Sequence, residues 1–262
     1  AAVAVRCAGS RDPESAAWLR EQRRGDVRWL QADGLGWRLV FTMRHGGRSD
    51  PPYDSLNVGF LVGDRPRDVH ANRMLIATAL GVRLDDVVAP HQVHGKAVRC
   101  VDHTHRGSGA RNATSALADT DALVTADAAT VLMIAVADCV PVFIAAETPA
   151  GTPVLGLAHA GWRGLVAGVV TDTAEALGRL GRLRTAIIGP SIGPCCFAVG
   201  ADVGQTLERR FPGVWRDGQV DLWSCARQEL LRAGVPEVRV SGVCTSCDPR
   251  FYSHRRDGGA TG

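Results

Sequence analysis

The feature that most constrains this chain is a block of apolar runs between residues 121 and 164. DALVT (121–125) and VLMIAVAD (131–138) read as buried strand material. CVPVFIAAE (139–147) follows, then a Thr-Pro-Ala-Gly-Thr-Pro turn, then VLGLAHAGWRG (154–164), in which a buried strand runs straight into a helical pattern. Strands joined by tight turns pair as antiparallel hairpins. VRWLQAD (27–33) and WRLVFTM (37–43), separated by Gly-Leu-Gly, form another. Other strands alternate with helices: one from Asp64 or Pro66 to about Leu80 with Gly81 as stop signal, one over 165–180, and two over 201–211 and 221–233, the last capped by Asp221. DVVAPHQVHGKAVRCVD (86–102) reads as strand, tight loop, strand, and VRVSGVC (238–244) as a last strand before a polar tail. Hairpins among alternating elements predict a mixed α/β, α+β-like domain of packed mixed β-sheets flanked by helices, not a regular doubly wound sheet. With no linker and no internal repeat, residues 27–262 are expected to be a single catalytic domain behind an N-terminal extension, 1–26.

Two loops are long. RHGGRSDPPYDSLNVGF (44–60) carries Arg44, His45, Tyr53 and Asn57, and loops of this length in compact domains are usually functional or disordered. The reading here is functional. HTHRGSGARNATSALADT (103–120) has little apolar content and is expected to be exposed and mobile.

Composition excludes several classes. The 262 residues are 45% hydrophobic and 22% charged, ordinary for a globular protein, and no apolar run is long enough to cross a membrane. A net charge of +3 does not argue for nucleic acid. Lys96 is the only lysine, so the positive charge is almost all arginine, the better bidentate partner for phosphate or carboxylate. No signal peptide is read at the N-terminus, so the eight cysteines are expected as reduced thiols in the cytoplasm. No GxGxxG follows the first strand and no GxxxxGK[ST] occurs, which weakens nucleotide-binding readings.

Three segments end an apolar strand with a metal-binding residue type: His94 in PHQVHG, Cys139 in VADC and His159 in LAHAGWRG. Taken singly, each has an ordinary structural explanation, the histidines as hydrogen-bonded loop residues and the cysteine as core. Together, His/Cys/His suits Zn²⁺ with a fourth position left for water or substrate. The same trio supports a rival chemistry, with Cys139 as a nucleophile and His159 as its base in acyl transfer. Both roles need a deprotonated sulfur, so the sequence does not separate them. Cys244-Thr-Ser-Cys247, with sulfur from Cys195-Cys196, would make a structural zinc site, but the usual second C-x-x-C is absent and ordinary thiols are the expectation.

Arginine recurs beside glycine, in Arg44-His-Gly-Gly, Trp162-Arg163-Gly164 and Arg255-Arg256-Asp-Gly-Gly. Glycine lets backbone approach a ligand closely, and a helix opening after Gly164 would offer N–H groups to an anion. Solvated surface arginine is the plain alternative, weakest for Arg163, which lies four residues from a candidate ligand.

TMRHGG, PYDSLNVGFLVGD, HQVHG, DALVT, ADCVPVFI, AHAGWRG, IGPSIGPCC and FYSHRRDGGATG occur in that order. On these motifs the chain, from about residue 30 to 262, resembles the bacterial YfiH-like family, long labelled laccase-domain or polyphenol oxidase proteins. The resemblance implies a single α/β domain related to a toxin fold with a Cys–His site, and a zinc held by His94, Cys139 and His159. It implies phosphorolysis of adenosine, inosine and methylthioadenosine, with some adenosine deamination. The partners are then a purine nucleoside and phosphate, and oligomeric state is left open. One departure is Arg48, which replaces a usually apolar residue.

Residue chemistry is compatible with these implications. Phosphorolysis needs an anion site, which Arg44, Asn57, Arg163, Arg255 and Arg256 are candidates to line. Deamination needs an activated water, and an open zinc lowers the pKa of its water to about 7. The H-x-E and P-C-x-x-C signature of zinc deaminases is absent, so an acid/base group must come from elsewhere, and Asp138, beside Cys139, is the candidate. A copper laccase needs many histidines in repeated H-x-H pairs, whereas this chain has eight His and one such pair, His103-Thr-His105. Copper can still compete for a His/Cys/His site, which keeps oxidase activity open as metal-substituted chemistry.

Overall fold

The computed structural model describes residues 2–7, 18–34, 36–259 and 261. Residues 1 and 8–17 of the expected N-terminal extension, and residues 260 and 262 of the polar tail, lie outside that set. In chain order the strands are β1 (Ala2–Cys7), β2 (Arg20–Arg24), β3 (Val27–Gly34), β4 (Trp37–Thr42), β5 (Val87–Val88), β6 (Val98–Cys100), β7 (Ala122–Thr125), β8 (Val131–Ala135), β9 (Val140–Glu147), β10 (Pro153–Ala160), β11 (Arg182–Ile188), β12 (Trp215–Arg216), β13 (Gln219–Val220) and β14 (Val238–Val240). The α-helices are α1 (Pro66–Leu80), α2 (Trp162–Ala167), α3 (Val169–Gly178), α4 (Ala201–Arg210) and α5 (Leu222–Arg232).

Two six-stranded sheets carry the fold, ordered β2-β3-β4-β1-β8-β5 and β14-β11-β9-β10-β7-β6. Both are mixed. The hairpin neighbours β3/β4 and β9/β10 are antiparallel, whereas β5/β8, β6/β7 and β11/β14 are parallel. The N-terminal strand β1 lies inside the first sheet between β4 and β8, with Ala2, Val3 and Val5 buried.

The continuous apolar runs follow from burial on both faces. Along β9, Phe143 and Ala145 point into the layer between the sheets, while Val140, Val142 and Ile144 point to the opposite side under the helices. Side chains alternate along a strand, so a strand covered on both faces is apolar at every position. Leu39, Phe41, Leu132, Ile134, Leu155, Leu157 and Ile187 complete the inter-sheet core. Helices α2, α3, α4 and α5 cover the outer face of the second sheet, and α1 covers the first. The architecture is thus the mixed α/β domain of packed sheets that the hairpins predict.

Two local expectations need correction. The helix expected over 165–180 is two helices, because Gly168 adopts a φ of 96° and ends α2 before α3 begins. The segment 103–120 is not exposed throughout: Ala110 and Thr120 are buried, and the Arg73 guanidinium of α1 donates to the Ala110 carbonyl at 3.1 Å. The polar tail also docks. Phe251, Tyr252 and Ser253 are fully buried, and the Tyr252 hydroxyl donates to the Tyr53 carbonyl at 2.6 Å. Two aromatic rings supply the apolar area that a count of polar residues hides.

Candidate metal centre

The β9/β10 hairpin builds half of the centre. Its register pairs Ala160 with Val140 and His159 with Pro141, which sets Cys139 at the mouth of β9 beside the end of β10. The chain then turns at Gly161. A Cβ there would stand 3.1 Å from Cys139 Sγ and 3.0 Å from His94 Cδ2, so a residue without a side chain is what lets the ring and the thiol approach. His94 arrives from the loop between β5 and β6. The ligand atoms of His94, Cys139 and His159 lie within 4.8 Å of one another, and the two imidazoles meet edge to face with centroids 4.8 Å apart. One thiolate and two imidazoles form a borderline-soft donor set that fits Zn²⁺ or Cu²⁺. His159 is buried, Cys139 half-buried and His94 exposed, so the centre opens on the His94 side.

Asp121, which the sequence reading passed over, organises this site. It is fully buried, and its carboxylate accepts N–H bonds from Val93 at 3.2 Å, His94 at 2.9 Å and Gly95 at 2.7 Å. It also lies 2.8 Å from His159 Nδ1. One carboxylate therefore fixes the His94 loop and the His159 ring together. Because Nδ1 is taken, Nε2 of His159 is the nitrogen left for a ligand, the usual second layer around a metal-binding histidine. Gln92 ties the same loop to β8, donating to the Ala135 carbonyl at 2.8 Å and accepting from its N–H at 2.9 Å. His94 and Asp138 hold φ values of 60° and 82°, unusual for residues with a Cβ, and both flank the centre. The available cue for Asp121 is its position, an acid at the mouth of the wholly buried strand β7.

Electrostatics follow from the packing. Burial alone would raise the Cys139 thiol, but the His159 and His94 rings outweigh it and bring its pKa down to about 6. Burial alone would lower His159, but Cys139 and Asp121 overcome it and raise the ring to about 9. Burial likewise pushes Asp121 up, and the bonds from His159, Gly95 and Val93 reverse that, leaving it lowered. Without a metal, the site favours a thiolate beside an imidazolium on an ionised carboxylate.

The remaining expected site residues lie beside Cys139, in the 44–57 loop, at the start of α2 and in the C-terminal arm. Asp138 is buried, and its carboxylate accepts from Thr245 Oγ1 at 2.7 Å, Ser253 Oγ at 3.0 Å and the Arg255 N–H at 2.7 Å. That engagement directs it to the C-terminal arm. Arg44 lies over the Tyr252 ring, donates to the Asp54 carbonyl at 2.9 Å, and approaches the carboxylates of Asp257 at 3.4 Å and Asp54 at 3.5 Å. Asp257 accepts from the Ser253 N–H, so Arg44, Asp257, Ser253 and Asp138 form a contact chain that ends beside Cys139. Asn57 is fully buried and holds its own loop, donating to Asp64 at 2.8 Å and accepting from the Gly59 N–H at 2.8 Å. Arg255 donates to the carbonyls of Ala198 at 2.8 Å and Cys196 at 3.2 Å. Arg256 donates to the carbonyls of Thr245 and Phe251, each at 2.7 Å, and to Asp257. Arg163 is exposed, with its guanidinium over the Trp162 ring. Helix α2 begins at Trp162 behind Gly161, not after Gly164, and has six residues, so its short dipole contributes little to an anion site.

Comparison with known proteins places this geometry in a family. Residues 38–262 match the family described as multi-copper polyphenol oxidoreductase laccase. The chain is 41% identical to the purine nucleoside phosphorylase YlmD of Geobacillus stearothermophilus over 264 residues, covering 93% of this chain and 94% of that one. It is 39% identical to a purine nucleoside phosphorylase of Mycobacterium bovis over 228 residues, covering 84% and 87%. The crystal structure of YlmD from Geobacillus stearothermophilus superposes with a TM-score of 0.84 at 36% identity, covering 94% of this chain and 96% of that one. No helix among the described residues is long and apolar enough to cross a membrane. Sequence and fold agree that this chain is an enzyme of the multi-copper polyphenol oxidoreductase laccase family, similar along nearly its whole length to proteins named purine nucleoside phosphorylase.

Proposed function

We propose that this protein is a zinc-dependent purine nucleoside phosphorylase acting on adenosine, inosine and methylthioadenosine, with adenosine deamination as a side activity. The observation that carries the reading is the convergence of His94, Cys139 and His159 on an open-sided point, with Asp121 behind them. The relatives named purine nucleoside phosphorylase support the substrate class. In phosphorolysis a phosphate oxygen bonds to C1′ of the ribose as the C1′–N9 bond breaks. The base leaves with the electron pair and takes the proton that hydrogen phosphate gives up, and the sugar 1-phosphate remains. When bound, zinc supplies a Lewis acid and lowers the pKa of a coordinated water to about 7, which the deamination requires. His94, Cys139 and His159 would hold that ion, Asp121 sets the ring and loop, and substrate would enter from the exposed His94 side.

Phosphate recognition falls to Arg44 and Arg163 in this reading. The Arg44 contacts with Asp257 and Asp54 are long for ion pairs, so a phosphate dianion can compete for the guanidinium. Asn57, Arg255 and Arg256 act one step back, because their bonds to Asp64, Ala198, Thr245 and Phe251 hold the loop and the arm. Asp138 similarly fixes the arm through Thr245, Ser253 and Arg255. Arg44→Ala should raise the KM for phosphate by about 10- to 100-fold, the worth of one hydrogen bond to a charged group, with zinc content unchanged. An unchanged phosphate saturation curve would remove Arg44 from the anion site.

The function is tested by incubating inosine with the protein and following hypoxanthine. Release is expected to require inorganic phosphate, to stop with a chelator and to return with zinc. Release at full rate without phosphate would sink the reading. A second reading rests on the depressed Cys139 thiol beside the raised His159 ring, the ion pair of a cysteine acyl hydrolase. Copper-dependent polyphenol oxidation has less support. Among the described residues the groupings able to hold a metal are the His/Cys/His trio and a set of four cysteines, not the many imidazoles of a multi-copper cluster.

A further inference from the structure

Four cysteines from two distant parts of the chain meet at one point away from the His/Cys/His trio. Cys195 and Cys196 follow β11, and Cys244 and Cys247 follow β14. These strands are parallel neighbours, so their carboxyl ends emerge side by side, and the ladder continues as a bridge between Ser191 and Cys244. The four sulfurs lie within 4.8 Å of one another, with Cys196 3.4 Å and Cys195 3.6 Å from Cys247. All four are free thiols. A tetrahedral ion with metal–sulfur bonds of about 2.3 Å sets its sulfurs about 3.8 Å apart, close to the spacing found.

We infer that Cys195, Cys196, Cys244 and Cys247 form a second, structural metal centre that binds a zinc ion through four thiolates. Thiols are weak hydrogen-bond donors and acceptors, so neutral S–H groups gain little from being gathered at a half-exposed surface. An ion that draws the thiol protons off to solvent gives the cluster a reason to form. Hard oxygen-seeking cations do not suit this donor set, whereas tetrahedral sulfur selects zinc. The backbone around Cys244 is also arranged for an anionic sulfur. The Gly193 N–H donates to Cys244 Sγ at 3.2 Å. Gly193 cannot carry a side chain without moving its surroundings, since a Cβ would meet Trp223 at 3.0 Å and Cys244 Cβ at 3.2 Å.

The centre staples the two segments that reach the first site. Thr245, inside the C-x-x-C, donates to Asp138 beside Cys139, and the Cys196 carbonyl accepts from Arg255. Its role is to hold this scaffold, and it does not depend on the phosphorylase reading.

The test is zinc per chain in protein purified with zinc present, together with alkylation of the native protein by iodoacetamide. Wild type is expected to hold about two ions per chain, and Cys139→Ser to retain about one. The double variant Cys244→Ser/Cys247→Ser is expected to lose that remaining ion. Cobalt exchanged into Cys139→Ser should show the intense visible bands of a four-thiolate tetrahedral site. In wild type the exposed Cys195 and Cys247 should resist alkylation until a chelator is added, a readout that stands even if the double variant fails to fold. Rapid alkylation of both in untreated wild type, or zinc content that the double variant does not change, overturns the proposal. Wild type that holds both ions but shows no phosphorolysis would instead count against the reaction assigned to the first site and leave the second centre standing.

Discussion

Cys139→Ser is expected to lower zinc at the His94/His159 site and inosine phosphorolysis together. Structural zinc sites bind with about 10–16 kcal/mol shared among four ligands, so one ligand is worth about 3 kcal/mol, or roughly 10²-fold in affinity. Serine offers an oxygen that zinc ionises poorly at neutral pH, and two histidines remain. Some zinc should therefore return at high concentration, with partial activity. The acyl hydrolase reading predicts the opposite pairing: metal content unchanged and turnover abolished, because the nucleophile is gone. Zinc titration of the variant beside a hypoxanthine assay separates the two. Unaltered zinc affinity with complete inactivity, plus a covalent adduct trapped on wild-type Cys139, would reinstate the hydrolase.

Asp121→Asn is the second large effect, at a residue that touches no substrate. The carboxylate accepts from three consecutive backbone N–H groups and orients His159. An asparagine replaces one acceptor oxygen with a donor, so at least one of these N–H groups faces an NH₂ in a fully buried position. The His94 loop loosens and His159 loses the partner that fixes its tautomer. Removing such an outer partner typically costs 10- to 100-fold in metal affinity, and a comparable loss is expected here. Thermal stability should also fall, by several degrees, from the unmatched buried amides. Competition with a chromophoric chelator gives the affinity. A Kd for zinc equal to wild type would show that Asp121 is structural only.

Where residue order carries the information, the chain declares itself. The hairpins at 27–43 and 139–160, the Gly81 stop to α1 and the Asp221 cap on α5 need only strand alternation, turn chemistry and local side-chain-to-backbone bonds. Those rules suffice for the mixed-sheet class, and reading His94, Cys139 and His159 as strand-end residues is enough to nominate the trio, although His94 lies in the loop between β5 and β6. Tertiary structure decides what depends on contacts far apart in the chain. Asp121 looks like any acid before a strand until folding brings the His94 loop and β10 onto its two oxygens. Arg256 shows none of its partners in sequence until the arm folds and its guanidinium meets the Thr245 and Phe251 carbonyls. The C-x-x-C at 244–247 lacks a partner in sequence, and Cys195-Cys196 becomes one because β11 and β14 lie parallel and end together. Local patterns report the conformation of a segment, whereas buried hydrogen-bond partners and ligand sets are fixed by sheet order and register, and those are settled when the whole core packs.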